Sequence, residues 1–445
     1  MRIDELIDEL ARVPEKERGP VQEALVACGA AAVEPVMVAM QERPHPVHWP
    51  AFMEVLRSIG RPAFEPIRQA LAAATAVEET RRYQAAFQGL TGLAPEDYSA
   101  ALRDPSPAVR EAAVEVFAGA GRLRELTEVF ADPSQKVRRR VMRAFGAAGE
   151  DAVPLLQEIR SGSGRLRAGA LTALAEIGGW EALSESDQAA VTRLIRIKAP
   201  GEEPSPMHLC GSWYAVRTAD QAAVLEAFDL HDPVRATMAM GASAWTRDAH
   251  DWGGDPAHRR CRRMYVTPEL NGWTLVFGTP HLDVSPRDPE WEATFRAAAT
   301  TRCEALSKRF GSAQWFGASC GDDWTAWCIA EAGTVVRFYD VFEPDNQIGD
   351  GHPAEEGLLL PHLDGWPDGA FDDIDLSDFE AFRARSEQLR RDLDIPETAH
   401  STDIAGRTSV DPWSLGPQTA VRGRAVLATP GCYRGGPSPR GALDI

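Results

Sequence analysis

The chain has 445 residues, 44% of them apolar and 25% charged, with 47 Lys plus Arg against 66 Asp plus Glu. That composition excludes a disordered, collagenous or membrane-spanning chain, and the length predicts two or three domains with room for a real core. Residues 1–200 carry 25 basic and 28 acidic side chains, whereas residues 201–445 carry 22 and 38, so nearly all of the net charge of −19 sits in the second half.

The opening run MRIDELIDEL has acidic residues in its first turn and no apolar core of the signal-peptide kind, so a cytoplasmic chain is expected. An internal repeat then fills the first 200 residues. Asp104-Pro-Ser-Pro-Ala-Val-Arg110, continuing to Gly121, is echoed 28 residues later by Asp132-Pro-Ser-Gln-Lys-Val-Arg138, continuing to Gly149. A third copy, Gly164 to Gly178, lacks the Asp-Pro start, and weaker echoes close at Gly29, Gly60 and Gly92. A period of 28–32 residues over six copies predicts a solenoid of about six helical pairs over residues 1–199. Asp104 and Asp132 are expected as N-caps, with Pro105 and Pro133 in the first helical position. Val137, Val141, Ala144, Phe145 and Ala148 form the buried stripe of the helix that Gly149 ends.

The pattern D-P-S-x-x-V-R, followed by small and apolar residues up to a glycine, resembles HEAT-like repeats of the short type named from phycobilisome lyases. That family includes scaffolds, adaptors, lyases and DNA glycosylases, so the resemblance implies a fold and leaves the role open. It further implies that the Asp and Arg of successive units form a ladder, which assigns Arg110, Arg138 and Arg167 to structure. Residues 121–170 hold ten basic groups against six acidic ones, among them Lys136. A phosphate-tracking groove would repeat its cations at equivalent positions. Here Glu111, Arg139 and Ala168 are equivalent, as are Glu115, Arg143 and Thr172, and the series stops. The candidate concave-surface patch Glu111, Glu115, Arg139, Arg140 and Arg143 therefore fits a protein partner better than nucleic acid.

Residues 200–206 lie in a Pro-rich stretch, Lys198 to Pro206, which reads as a linker. The remainder, 207–430, predicts an α+β domain with a mostly antiparallel sheet. Asn271-Gly272 predicts a hairpin, 291–310 a helix, 314–319, 324–330 and 334–341 a meander, 376–393 a polar helix and 423–428 a last strand, before a Gly/Pro-rich tail at 431–445. The runs G-W-T-L-V-F-G, A-Q-W-F-G-A-S and A-W-C-I-A-E-A-G-T-V-V-R-F-Y resemble a domain of uncharacterised actinobacterial proteins, from which no activity transfers.

Gly317-Ala-Ser-Cys-Gly321 matches G-x-S-x-G, but the apolar run after it reads as a strand where a nucleophile elbow needs a helix, and nothing selects a partner among His352, His362 and His400. A hairpin turn is expected there. The seven cysteines (Cys28, Cys210, Cys261, Cys303, Cys320, Cys328 and Cys432) form no Cys-x-x-Cys pair and read as reduced thiols. His250, Asp251, Asp255, His258 and Cys261 match no standard zinc spacing, and Asp364, Asp368, Asp372, Asp373, Asp375 and Asp378 give no calcium-loop register. No metal site and no cofactor are assigned. Trp315, Trp324 and Trp327 form a candidate aromatic sheet face, since one face of an antiparallel sheet can stay open to a partner.

The expected function is that of a protein-binding adaptor or immunity-type inhibitor. Its solenoid surface holds another protein, and the acidic second domain suits a basic one. Membrane partners are not expected, nor is nucleic acid. The alternative is a HEAT-repeat enzyme acting on nucleic acid or a small molecule, ranked second because no convergent acid, base and nucleophile are visible.

Overall fold

Gly29, Gly60, Gly92, Gly121, Gly149 and Gly179 share a positive φ, between 57° and 71°, in the computed structural model. This describes residues 2–42, 49–250, 263–278, 291–363, 365–367, 369–374, 379–431, 441 and 443. The repeat seen in the sequence is thus a repeat of backbone turns that side-chain-bearing residues rarely adopt. Only the last is displaced, from Gly178, where φ is −136°, to Gly179. Gly60 meets a second demand, because a Cβ there would lie 2.4 Å from the Thr91 carbonyl oxygen of the next repeat.

The chain forms two compact units, Met1–Ile177 and Gly178–Ile445. Among the described residues the only regular elements of the first are helical, with helices at Ile3–Arg12, Arg18–Ala27, Ala30–Glu42, Trp49–Ile59, Arg61–Ala73, Val77–Gln88, Pro107–Gly119, Leu123–Leu126, Gln135–Ala148, Val153–Ser161 and the start of Leu166–Gly178. Leu25, Val36, Phe52, Leu56, Ile67, Phe87, Val109, Phe117, Val137 and Phe145 line its continuous core. Two units depart from the expected helical pair. Between Gly92 and Pro107 the first helix is reduced to the 3₁₀ turns Pro95–Tyr98 and Ala101–Arg103, and after Gly121 it shrinks to Leu123–Leu126 and one further turn. Tyr98 fills the gap, its ring edge-on to Phe64 and Phe87 and its hydroxyl donating to the Phe87 carbonyl at 2.9 Å.

The expected caps also need correction. Helices begin at Pro107 and Gln135, so Pro105 and Pro133 precede them. Asp104 and Asp132 accept from the backbone N–H of Ser106 and Ser134, both at 2.8 Å, and so build the turn before each helix rather than capping it.

The second unit is built on a nine-stranded sheet of β1 (Gly211–Val216), β2 (Leu230–Ala236), β3 (Met264–Leu270), β4 (Trp273–Phe277), β5 (Ser312–Ala318), β6 (Thr325–Glu331), β7 (Thr334–Asp340), β8 (Val421–Arg422) and β9 (Ala425–Pro430). The order is β2-β9-β3-β4-β1-β5-β6-β7, with β8 beside β3, and every pairing is antiparallel. The Asn271-Gly272 hairpin, the helix Trp291–Phe310, the β5-β6-β7 meander and the final strand stand where the sequence placed them; the polar helix runs over Phe379–Leu393.

Side chains alternate across the sheet, and both faces are covered. Tyr214, Val266, Val276, Trp315, Cys328 and Phe338 pack with Ala299, Cys303 and Leu306 of the helix Trp291–Phe310 and with Val224 of the helix Gln221–Ala227. The opposite face carries stacked aromatics: Trp213 on Phe316, Tyr265 on Phe277, and Trp327 on Tyr339. Trp245 of the helix Met238–His250 lies on Phe277 there. Trp315 and Trp327 are therefore 1% and 0% exposed and point to opposite sides, while half-buried Trp324 donates to Asp340. The open aromatic face expected at Trp315, Trp324 and Trp327 does not form; Trp315 and Trp327 are core, and Trp324 is half-buried against it.

The segment read as a linker is clipped to the second unit. Glu202 accepts from the backbone N–H groups of Met238 and Ala239, at 2.5 and 2.7 Å, where the first turn of a helix offers unpaired donors and a favourable dipole. Pro204, Met207 and Leu209 are buried. No described helix is long and apolar enough to cross a membrane.

Candidate functional site

In the solenoid, the repeated Asp and Arg do join successive units. Arg110 forks onto Asp132 with Nε–Oδ2 2.7 Å and Nη2–Oδ1 2.8 Å, and its remaining nitrogen donates to the Asp104 and Pro105 carbonyls. Arg68 supplies the preceding rung to Asp104. Arg138 repeats only the carbonyl bonds, to Asp132 and Pro133, because the third copy has no Asp to receive it. Arg167 contributes its carbonyl to Arg160 at 2.8 Å.

The candidate patch divides into two parts. Arg140 bridges Glu111 and Glu115 of the preceding helix Pro107–Gly119, at 2.9 Å each. Those three half-buried residues form a helix-to-helix staple in which the one cation serves two carboxylates. Arg139 and Arg143, four residues apart on the same helix, are exposed, as is Lys136. The solvent-facing cations of this helix form this short row.

In the second unit the G-x-S-x-G match is a hairpin. Ser319 N–H donates to the Trp324 carbonyl at 2.9 Å, and β6 follows directly. The three histidines have other work: His352 accepts from Ala354 N–H, His362 bonds the Tyr339 hydroxyl, and the backbone N–H of His400 donates to Asp403. Asp372 and Asp373 aside, the acidic cluster largely lies outside the described residues, as do Asp251, Asp255, His258 and Cys261, Cys432 and most of the tail. A cleft of about 780 Å³ is lined by Arg217, Gln314, His352 and Arg407 among others; it has cationic and hydrogen-bonding groups but no nucleophile and base in contact.

One constellation was not visible in the sequence. The side chains of His208, Cys210, His250 and Cys320 each bring a nitrogen or sulfur able to serve as a ligand within 4.8 Å of the others. Cys210 Sγ is 3.2 Å from Cys320 Sγ, which is 3.6 Å from His250 Nε2, and the two imidazole centroids are 5.3 Å apart. The sheet brings them together: Gly211 pairs with Ala318, so the residues just before β1 lie beside the turn after β5. A Cβ on Gly211, whose φ is +128°, would sit 3.6 Å from the Trp245 ring and 3.9 Å from the Ala249 Cβ, so the last turns of the helix Met238–His250 lie directly over it. Arg263, immediately before β3, forks onto Asp248 at 2.7 and 3.0 Å and fixes that last turn.

A family model for HEAT repeats matches residues 95–175, the region holding the Asp-Pro copies and the staple at Arg140. The helical first unit therefore carries HEAT repeats, a class that generally mediates protein–protein interaction. No curated protein matches the chain.

Proposed function

We propose that the protein is a binding protein, an adaptor or immunity-type inhibitor, whose solenoid holds a partner protein through the helix Gln135–Ala148. The observation that carries this reading is the separation of charges on that helix inside the HEAT-matched region: Arg140 is consumed by Glu111 and Glu115, while Arg139 and Arg143 stay exposed on a surface held by packed neighbours. Exposed cations on a rigid scaffold suit an acidic patch on a folded partner, and the acidity of residues 201–445 adds a second contact for a basic region. A nucleic-acid partner is disfavoured because the neighbouring repeats put Glu111 and Glu115, or Ala168 and Thr172, where a phosphate track needs cations.

The test is capture from nuclease-treated lysate on the full chain and on an Arg139→Glu/Arg143→Glu variant. A protein retained at high salt by the native chain and lost by the variant supports the reading. Retention of nucleic acid alone, released by salt, refutes it and favours the nucleic-acid enzyme.

A further inference from the structure

We propose that His208, Cys210, His250 and Cys320 bind one zinc ion, which clamps three separate segments at one end of the sheet. Four ligand atoms of two kinds converge, two imidazole nitrogens and two thiol sulfurs. For tetrahedral zinc, Zn–S and Zn–N bonds of about 2.3 and 2.0–2.1 Å put neighbouring ligand atoms about 3.3–3.8 Å apart. The Cys320–His250 separation of 3.6 Å is already in that range. To hold an ion the two sulfurs, now 3.2 Å apart, open by about 0.5 Å and the 4.8 Å spread of the set closes by about 1 Å, shifts within reach of side-chain rotation.

The orientation of His250 points the same way. Its Nδ1 lies 2.7 Å from the Thr246 carbonyl oxygen. A carbonyl only accepts, so Nδ1 carries the proton and Nε2 keeps its lone pair, aimed toward Cys320. Metal-binding imidazoles are held in this way by an outer hydrogen bond that fixes tautomer and ring direction. The bidentate Arg263–Asp248 pair and the contact of Trp245 with Gly211 position the helix end that carries the ring.

The Cys210 and Cys320 sulfurs lie side by side, 3.2 Å apart, where a single ion can take both. Each thiol gives up its proton to solvent, and two thiolates with two neutral imidazoles neutralise Zn²⁺. Mixed sulfur and nitrogen donors select zinc over the hard cations magnesium and calcium, and four protein ligands make the site structural, with no position for substrate. His208, His250 and Cys320 are exposed, so the ion loads from solvent without unfolding.

The experiment uses the full chain, purified reduced and metal-free, titrated with zinc against a competing chelator and separately with Co²⁺. The expected result is one zinc per chain, and a cobalt spectrum with tetrahedral d–d bands and thiolate-to-metal charge transfer. Cys210→Ser, Cys320→Ser and His250→Asn are each expected to weaken zinc by about 100-fold or more, while Cys28→Ser, in the solenoid, changes nothing. Should a ligand variant fail to fold, the native cobalt spectrum decides. The proposal is overturned by a reduced chain that takes up no zinc, by cobalt bands lacking thiolate character, or by unchanged affinity in folded Cys320→Ser. It is likewise overturned if Cys210 and Cys320 recover only as a disulfide that takes no metal after reduction. None of these results bears on partner capture by the solenoid.

Discussion

Arg337 is the most demanding residue of the sheet. Its side chain is 0% exposed, Nε donates to Glu355 Oε1 at 2.6 Å, and the same oxygen accepts from Trp327 Nε1 at 2.7 Å. Glu355 thus holds a buried cation and an indole together, and removing it leaves Arg337 charged without a counter-ion. Glu355→Ala and Arg337→Met are each expected to cost about 3–5 kcal/mol in urea unfolding, since either leaves a buried charge without its partner. Asp340 shows the opposite balance. Burial is the main cause that raises its pKa, against hydrogen bonds from Phe342 N–H and Trp324. The folded state therefore holds the proton more tightly than the unfolded chain, and the contribution of Asp340 to stability falls as pH rises from the ordinary value of 3.8 through the raised one. Asp340→Asn keeps the acceptor and removes the charge. Thermal unfolding is expected to show it more stable than the native chain at neutral pH, with the gain gone below the ordinary carboxylate range. Gly60→Ala meets both a positive φ and the Thr91 carbonyl, and a loss of about 2 kcal/mol or more is expected from denaturant titration.

At the scale of elements, the Asp-Arg rungs and the Arg140 staple hold neighbouring repeats in register. Asp132 receives both nitrogens of Arg110 and also shapes the turn before its own helix, so Asp132→Ala is expected to cost about 3 kcal/mol. Arg138→Ala, which gives up only bonds to carbonyls, is expected to cost under about 1 kcal/mol. Hydrogen exchange would register the first as faster opening of Pro107–Gly119 and Gln135–Ala148. The repeats were legible in the sequence because each copy spends residues on a turn and a glycine stop that recur at fixed spacing. The abbreviated helix before Pro107 was not, since its loss is offset by Tyr98 packing against residues from earlier helices. β1 was missed because a strand buried on both faces has no alternation to read. β2 was missed because it contains Pro233 and a left-handed Asp232; both are tolerated at the end of the sheet order, beside a bulge.

For the whole molecule, the contrast between the two units is one of what holds them. The first is stabilised repeat by repeat; the second closes around a sheet whose strands come from both ends of its sequence, β1 and β9 among them. The zinc proposal adds a clamp to the second unit alone, so chelator is expected to lower a second-unit melting transition and leave solenoid helix melting in place. The Cys/His group could not be read from spacing, because 40 and 70 residues separate His250 from Cys210 and Cys320 and only the β1–β5 register makes them neighbours. By contrast the exposed Arg139 and Arg143 were legible one by one, though not the withdrawal of Arg140 from the surface.

The clip at Glu202 has a mechanical meaning. Residues 202–210 are fastened to the first turn of the helix Met238–His250 through Glu202 and lie beside its last residue through Cys210 and Cys320. That helix works as a bar bolted at both ends to the strap by which the sheet is reached from the repeats. A tensile load applied at Glu202 is expected to fall first on the Glu202 bonds and next on the Cys/His corner, before the hydrogen bonds between β1 and its neighbours. Pulled at Glu202, the sheet would be reached in that order.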